Sequence, residues 1–222
     1  MLKYFSSKHP TNEFAPSWSI PMYSELFNFD ESKKIYSWLL DNQKEFLKYP
    51  EGDSAVADNP IAHRLGSYNL FDYKNEVDCL QTLYNYIQTL YLDFVTKKGA
   101  AIRTCDIIAW FNILEKGEKI KSHHHGANPD SYISGNLHLL KYDTYTIYVS
   151  PYDNQCFLPE PDSMGNVTLF PSYLEHFTTE HTSDKPRISI SFDIVPYTET
   201  ENKLPIPLIN EEILKEITKE YE

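Results

Sequence analysis

The sequence predicts a mainly β fold with helices toward its two ends, and three observations lead to that prediction. Between about residues 101 and 196, short runs rich in β-branched and aromatic residues alternate with turn sequences. Before residue 100, apolar residues recur at helical spacing instead. The chain has 222 residues, a length typical of one β-rich domain. We therefore expect a single domain over residues 1–222, built on an antiparallel barrel or a double-sheet jelly roll.

The first hundred residues are expected to be mostly helix and loop. Residues 30–49 place their apolar side chains near one helical face, and Pro50 ends that segment. A longer helix is expected over residues 75–98, with Asn75 as a good N-cap and a glycine directly after its end. The segment 50–70 between them mixes Pro, Gly, Asp and Ser without a period. A loop of this length is either a lid or binding loop or a plain connector.

Five runs after residue 100 are expected to be strands. Each is short, carries β-branched and aromatic residues, and is bounded by turn sequences such as Lys-Gly and Asp-Asn. The runs are TCDIIAWFNIL, YISGNLHLL, TYTIYVS, NVTLF and RISISFDIV. The proline-punctuated stretch after residue 196 is expected to be a linker, and residues 209–222 a C-terminal helix.

Composition excludes several classes of function. The net charge of −12 disfavours duplex nucleic acid as a partner because of electrostatic repulsion. Three cysteines far apart suggest neither a disulfide framework nor a cysteine zinc site. None of the seven glycines forms a common phosphate-binding loop. Without a membrane-length apolar run or a signal-peptide pattern, we expect a soluble, cytoplasmic protein with no membrane partner.

Histidines are concentrated in one part of the chain, since four of the eight lie between residues 123 and 138. On an extended backbone His123 and His125 point to the same side while His124 points away. The pair would supply two nitrogen ligands to a metal, whereas the alternative is a solvated polar loop. A third ligand must come from a distant segment, and His176 is the candidate. His138 either lines the cavity near the metal or substrate or is an ordinary half-buried strand residue, and we favour the second interpretation. We expect His181 to be a surface turn residue.

The segment RISISFDI alternates perfectly between polar and apolar residues. One interpretation turns its polar face to water; the other turns Arg187 and Ser189 into a barrel and packs the isoleucines against the N-terminal helices. An inward guanidinium needs an anion, since an unpaired buried charge is costly. A small dicarboxylate beside the metal would supply one, held by Arg187 and Ser189.

Several motifs occur in an order that resembles a known family. They are W-x-N at Trp110 and Asn112, G-x5-H-x-H from Gly117 to His125, Ser134-Gly135, L-F-P-S-x-L-x-H from Leu169 to His176, and R-I-S-I-S-F from Arg187 to Phe192. Over roughly residues 104–195 this pattern resembles the Fe(II)/2-oxoglutarate-dependent oxygenases, in particular their phage and bacterial branch.

The resemblance implies a double-stranded β-helix core, related to jelly rolls and cupins, with helices packed outside and iron at one open end. It implies His123, His125 and His176 as metal ligands, and Arg187, Ser189 and Asn112 as residues of the 2-oxoglutarate pocket. Asn112 could instead serve only as a structural hydrogen-bonding residue. Most of the superfamily has a carboxylate where this chain has His125. Asp130 and His124 therefore remain alternatives for the middle ligand.

The implied function is a dioxygenase that uses Fe(II), 2-oxoglutarate and O2 and hydroxylates an unidentified substrate, converting 2-oxoglutarate to succinate and CO2. One alternative is a cupin-like, three-histidine dioxygenase that needs no 2-oxoglutarate. Another is a non-catalytic jelly-roll binding protein. The inward Arg187 would separate the first alternative from the main hypothesis, because the cupin-like chemistry does not require it. The sequence specifies neither the substrate nor the oligomeric state.

Overall fold

The computed structural model describes residues 1–8, 12–52, 56–128, 131–153, 155–197 and 204–220. Within these ranges the strands outnumber the helices. There are also two short 3-10 helices: Ala62–Arg64 lies in the predicted loop, and Leu70–Tyr73 begins at its last residue. The main elements are β1 (Leu2–Ser6), β2 (Ser19–Leu26), α1 (Phe29–Phe46), α2 (Asp78–Lys98), β3 (Cys105–Leu114), β4 (Ile133–His138), β5 (Tyr145–Val149), β6 (Phe157–Pro161), β7 (Asn166–Pro171), β8 (His176–Thr178), β9 (Arg187–Pro196), β10 (Ile206–Ile209) and α3 (Glu211–Glu220).

The strands form two antiparallel sheets. The larger has seven strands in the order β1-β2-β7-β4-β9-β3-β10, and the smaller has three in the order β6-β5-β8. An isolated bridge between His123 and His176 continues the smaller sheet beyond β8. All five predicted strands are present, as β3, β4, β5, β7 and β9. The expectation of a mainly β fold made of two antiparallel sheets is therefore confirmed.

Strand β9 lies between β3 and β4 in the large sheet and separates two environments. Its apolar residues, Ile188, Ile190, Phe192 and Ile194, belong to the main core together with side chains of α1 and α2. Its polar residues, Arg187, Ser189, Ser191 and Asp193, line a cavity on the other face of the sheet. The helices thus cover the outer face of the large sheet, and the polar face of β9 points inward.

The N-terminal part contains two strands that the sequence analysis did not predict. Strand β2 contains Pro21, and a proline within a run argues against a central strand because it cannot donate to the ladder. Residues of β2 pair with β7 only from Tyr23 onward, whereas Pro21 is paired with Tyr4 of β1 alone. The proline therefore disturbs only one of the two ladders, and the strand is tolerated in the interior of the sheet.

The ends of the other elements differ in smaller ways from the prediction. Helix α2 begins at Asp78 rather than at Asn75, and ends as expected at Gly99, which has a φ of 71°. Strands β6 and β8 are short, and β10 lies in the predicted linker, where it pairs with β3. The predicted C-terminal helix is present as α3. None of the helices in the described part of the chain combines the length and apolar character needed to cross a membrane.

Gly135 in β4 is packed tightly against side chains of β7 and β9, and its replacement tests that packing. A Cβ atom at this position would lie 2.3 Å from Cζ of Phe192 and 2.9 Å from Cδ2 of Leu169. We expect Gly135→Ala to lower the free energy of unfolding by about 1–3 kcal/mol, the usual cost of overpacking. Urea unfolding measures the change.

A matched control is Gly52→Ala, where the nearest atom to a new Cβ is Leu65 O at 3.4 Å, an ordinary contact. A loss as large in Gly52→Ala as in Gly135→Ala would show that the Phe192 ring is not the cause. In a Phe192→Leu background the cost of Gly135→Ala should shrink, because the colliding ring atoms are gone.

Candidate metal centre

Three imidazoles meet where the two sheets come together. His123 and His176 are held side by side because each donates its backbone N–H to the other's carbonyl, at 3.1 and 2.9 Å. His125 is placed by its backbone N–H, which donates to Ser172 O at 2.9 Å. The ring centroids are 4.4 Å apart for His123 and His176, and 5.1–5.2 Å apart for the other two pairs. One ligand atom from each ring lies within 4.8 Å of the others, so a single metal ion could contact all three.

The three rings share one feature that determines which nitrogen is available. In each ring Nδ1 lies within hydrogen-bond distance of an oxygen acceptor, which assigns the proton to Nδ1 and leaves the lone pair on Nε2. The acceptors are Lys121 O for His123 at 2.8 Å, Asp193 Oδ1 for His125 at 2.5 Å and Leu174 O for His176 at 2.9 Å. The donor atoms are therefore oriented by the surrounding protein.

Burial favours the neutral form of two of these rings. It lowers the pKa of His123 to about 4, and the neighbouring His125 adds to the shift. Burial, followed by the nearby His123 and His125, also lowers the pKa of His176 well below its ordinary value. Both rings are therefore neutral at pH 7, which is the form that binds a metal ion.

Asp193 places a carboxylate directly behind the middle histidine. Its Oδ1 accepts from His125 and also from Ser134 Oγ at 2.6 Å, and Ser134 Oγ lies 2.9 Å from Ser172 Oγ. A carboxylate is thus present near the metal site, but it contacts the ring of His125 and does not take the place of a metal ligand. Asp193 is the last polar residue of the alternating segment RISISFDI, and the alternation alone implied no role for it. Ser134 and Ser172, which connect to Asp193 by hydrogen bonds, are the serines of the Ser-Gly and Phe-Pro-Ser motifs.

At the buried end of the same cavity Arg187 already has an anionic partner. Arg187 and Asp162 have side-chain exposures of 1% and 0%, and Nε of the arginine donates to Asp162 Oδ2 at 2.5 Å. Nη1 donates to Ser189 Oγ at 3.2 Å. The sequence analysis assigned the role of anion to a bound dicarboxylate alone. It missed Asp162, which follows β6 in a Pro-Asp-Ser-Met-Gly stretch typical of a turn.

The carboxylate of Asp162 is ionised although it is buried. Burial by itself would raise the pKa of Asp162, but the adjacent basic groups, His138 and Arg187, hold it below the ordinary value. The Thr144 hydroxyl also donates to its Oδ2 at 2.6 Å. Arg187 and Asp162 therefore form a closed, hydrogen-bonded ion pair without a net charge.

Two further histidines are more buried than the sequence suggested. His138 was expected to be half-buried, but only 2% of it is exposed, and its Nδ1 lies 3.4 Å from both Asp162 Oδ1 and Arg187 Nη2. Burial lowers the pKa of His138 to about 4. His181 was expected at the surface, but it is fully buried, and its Nε2 donates to Lys185 O at 2.7 Å. His138 is enclosed by Asp162, which follows β6 of the smaller sheet, and the ring of His181 packs against Tyr142 at a centroid distance of 5.6 Å.

A cavity of about 420 Å³ joins the histidine cluster to the arginine end. Its buried end is polar and includes Asn112 and Asn136, whose Oδ1 atoms are buried without a hydrogen-bond partner among the described residues. The lining also includes five apolar residues, of which all but Ile120 are partly exposed: Val56, Leu65, Ile108, Trp110 and Ile120. Because Val56 and Leu65 belong to the segment 50–70, that segment contributes to the cavity and is more than a connector.

The alternatives for the middle ligand can be located only in part. His124 is exposed, lines the cavity and is not part of the three-residue group that could hold a metal. Asp130 lies outside the described residues. The geometry therefore favours His125 over His124, with its ring already oriented by Asp193.

The Arg187–Asp162 pair should be essential for stability. Removing one partner of a buried ion pair leaves the other charge unpaired, and we expect Asp162→Ala to lower the free energy of unfolding by about 3–5 kcal/mol. The control is Asp184→Ala, which breaks an ion pair with Lys116 whose side chains are 90% and 60% exposed. Denaturant unfolding should leave the control close to wild type. An equally stable Asp162→Ala protein would contradict the closed pair.

Known proteins resemble this chain in one family motif and in the fold. A family model described as "Putative 2OG-Fe(II) oxygenase" matches residues 108–193. No curated protein matches the chain. A prolyl-4-hydroxylase from Pseudomonas putida is similar in structure, with a TM-score of 0.58 and 11% identity over 80% of this chain and 93% of that chain.

Two other solved structures were determined with ligands. The epimerase SnoN in complex with Fe3+, alpha ketoglutarate and nogalamycin RO has a TM-score of 0.57 and 11% identity, covering 86% of this chain and 91% of that one. HygX from Streptomyces hygroscopicus, with nickel and 2-oxoglutarate bound, has a TM-score of 0.55 and 13% identity, covering 81% and 84%. At these identities the likeness shows the fold, which is the double-stranded β-helix.

Proposed function

We propose that this chain, whose residues 108–193 match a family model described as "Putative 2OG-Fe(II) oxygenase", is an Fe(II)- and 2-oxoglutarate-dependent oxygenase that hydroxylates a substrate while 2-oxoglutarate is converted to succinate and CO2. One observation supports this proposal more strongly than any other. A three-imidazole cluster and a buried arginine line the same cavity of about 420 Å³, with His123, His125 and His176 near one another and Arg187 at the buried end. A metal ligand set and a carboxylate-binding group are both needed for this reaction.

His123, His125 and His176 would hold the Fe(II). The donor set fits, because imidazole nitrogen is an ordinary ligand of iron and each ring is oriented through Nδ1. Three ligands on one side leave coordination positions for 2-oxoglutarate and O2. When bound, the iron supplies the redox chemistry by which one oxygen atom of O2 enters succinate and the other enters a C–H bond of the substrate.

Arg187, Ser189 and Asn112 would bind and orient 2-oxoglutarate. Arg187 is fixed by Asp162 and has N–H groups on Nη1 and Nη2 for a carboxylate, and Ser189 Oγ lies beside Nη1. The Oδ1 atom of Asn112 has no partner among the described residues, and its side-chain amide can accept or donate when a ligand arrives. All three residues are at most 3% exposed, so water is largely excluded from this end.

One observation favours a second candidate. The three-imidazole donor set lacks the carboxylate of the usual facial triad, and a cupin-like dioxygenase that needs no 2-oxoglutarate would use the same three histidines. Arg187 lines the cavity although the cupin-like chemistry does not require an arginine there, and this supports the main proposal over the second candidate. The buried pairing with Asp162 satisfies the charge of Arg187 but leaves its Nη1 and Nη2 groups available to a carboxylate.

Metal binding tests the ligand set. We expect His123→Ala, His125→Ala and His176→Ala each to abolish stoichiometric Fe(II) binding, because each change removes one of three donors. Anaerobic Fe(II) titration followed by metal analysis measures the stoichiometry. His124→Ala is the matched control, and it should retain one metal per chain. If His124→Ala loses the metal and His125→Ala keeps it, the assignment of the middle ligand is wrong.

Co-substrate binding tests Arg187. Lysine keeps the positive charge but lacks the planar fork that matches a carboxylate. We expect Arg187→Lys to keep the metal and to weaken 2-oxoglutarate binding at least tenfold, or about 1.4 kcal/mol. Losing a hydrogen bond to a charged group typically costs about 1.5–3 kcal/mol. Anaerobic calorimetry at equal iron loading measures the dissociation constant.

The exposed Arg103 supplies the control for that measurement, because Arg103→Lys changes the same residue type outside the cavity lining. Arg103→Lys should bind 2-oxoglutarate as wild type does. Unchanged affinity in Arg187→Lys would separate Arg187 from 2-oxoglutarate and make the cupin-like reaction the better explanation.

A further inference from the structure

We infer that His138 is a second residue of the 2-oxoglutarate site and that the far carboxylate binds at Arg187 together with one proton, which His138 takes from solvent. The inference rests on the proposed function, since it concerns the co-substrate of that reaction. It depends on the contacts among Arg187, Asp162 and His138, which make this end of the cavity electrically neutral before any ligand enters.

The buried end of the cavity carries no net charge before a ligand binds. Arg187 contributes one positive charge and Asp162 one negative charge, and both side chains are at most 1% exposed. A carboxylate that enters this neutral cluster brings a negative charge with no counterpart. An uncompensated charge is strongly unfavourable where water is excluded. Either the carboxylate binds weakly, or another group in the cluster changes its charge.

His138 is the group that can change its charge when the carboxylate binds. Nδ1 of His138 lies 3.4 Å from Asp162 Oδ1 and 3.4 Å from Arg187 Nη2, so its ring contacts both members of the ion pair. A proton on this ring would restore a neutral cluster after the carboxylate has bound. In the absence of a ligand, burial and the nearby Arg187 favour the neutral ring. Protonation would also let Nδ1–H donate to Asp162, and the Arg187 Nη2 group would then turn toward the carboxylate.

Several other groups face His138. Strand β9 contributes Arg187 and the Ser189 hydroxyl, and the segment after β6 contributes Asp162. Thr144, directly before β5, and Thr146 in β5 do not titrate, and their hydroxyl groups donate hydrogen bonds to Asp162. Tyr142 lies close enough to interact with Arg187 and Asp162, and burial raises its pKa, so it stays neutral. Asp162 is thus the other possible acceptor of a proton.

The experiment measures proton uptake directly. Protein loaded with Mn(II) is titrated with 2-oxoglutarate in the absence of O2, at pH 6, 7 and 8, in two buffers of different ionisation heat. The difference in apparent heat gives the number of protons taken up per ligand bound. We expect uptake toward one proton at the lowest pH, decreasing at higher pH, and a dissociation constant that rises with pH. Pyruvate, a 2-oxo acid without the far carboxylate, should bind without uptake.

Two variants assign the proton. His138→Asn should remove the uptake and make the dissociation constant independent of pH over this range. Asp162→Asn should also remove it, because the carboxylate then neutralises Arg187 by itself, and should tighten binding at pH 8 by about tenfold. A merely structural role of Asp162 would weaken binding instead. His63→Asn, in the short helix Ala62–Arg64 outside the cavity lining, is the control and should keep the uptake.

Each result decides one question. If wild-type protein does not bind 2-oxoglutarate at all, the proposed function is wrong. If it binds with equal heats in the two buffers, the function stands and the proton coupling is wrong. Uptake that persists in His138→Asn would assign the proton to Asp162 and overturn the role of His138. If His138→Asn does not fold, weaker binding by Asp162→Asn at pH 8 would overturn the inference.

Discussion

The alternation of strand β9 is the constraint on which the rest of the structure depends. Successive side chains of a strand point to opposite faces, so one strand can serve the core and the cavity only if its residue types alternate without interruption. Here Ile188, Ile190, Phe192 and Ile194 lie in the core beneath the helices, while Arg187 and Asp193 mark the two ends of the cavity. A shift of one residue in the register would bury the charges against α1 and α2 and expose the isoleucines. The site and the core are therefore fixed by the same pairing with β3 and β4.

The same alternation explains what could be predicted from the sequence. A period of two is a local property, so it located five strands and placed Arg187 and Ser189 on one face. His123 and His125 were paired by the same argument. His176 was named as the candidate third ligand because two ligands from one strand need a partner from a distant segment, and the order of the motifs supported it. Its contact with His123 is made by a bridge between distant segments, which no local spacing specifies. Strand β2 was missed because Pro21 argues against a strand unless one knows which neighbour pairs with it.

The residues that the sequence did not reveal are those whose partners come from the other sheet. Asp162 has the sequence context of a turn residue, and only the packing of the segment after β6 against β9 brings it to Arg187. His138 was expected to be half-buried and His181 exposed, but both are buried. Asp162 and Arg187, which contact His138, come later in the chain, whereas the His181 ring packs against the earlier Tyr142. Charge pairing of this kind depends on a distance in space, and no spacing along the chain encodes it.

The two carboxylates that the sequence analysis left without a role give the two ends of the cavity different charge balances. At the metal end, Asp193 contacts His125, so a divalent ion bound by three neutral imidazoles would retain about one positive charge for the near carboxylate of 2-oxoglutarate. At the far end, Asp162 already neutralises Arg187, and nothing remains for the far carboxylate. The metal end therefore has the charge its ligand needs, and the arginine end does not. This asymmetry is the physical reason to look for a titrating group beside Arg187, and His138 is in contact with both members of the pair.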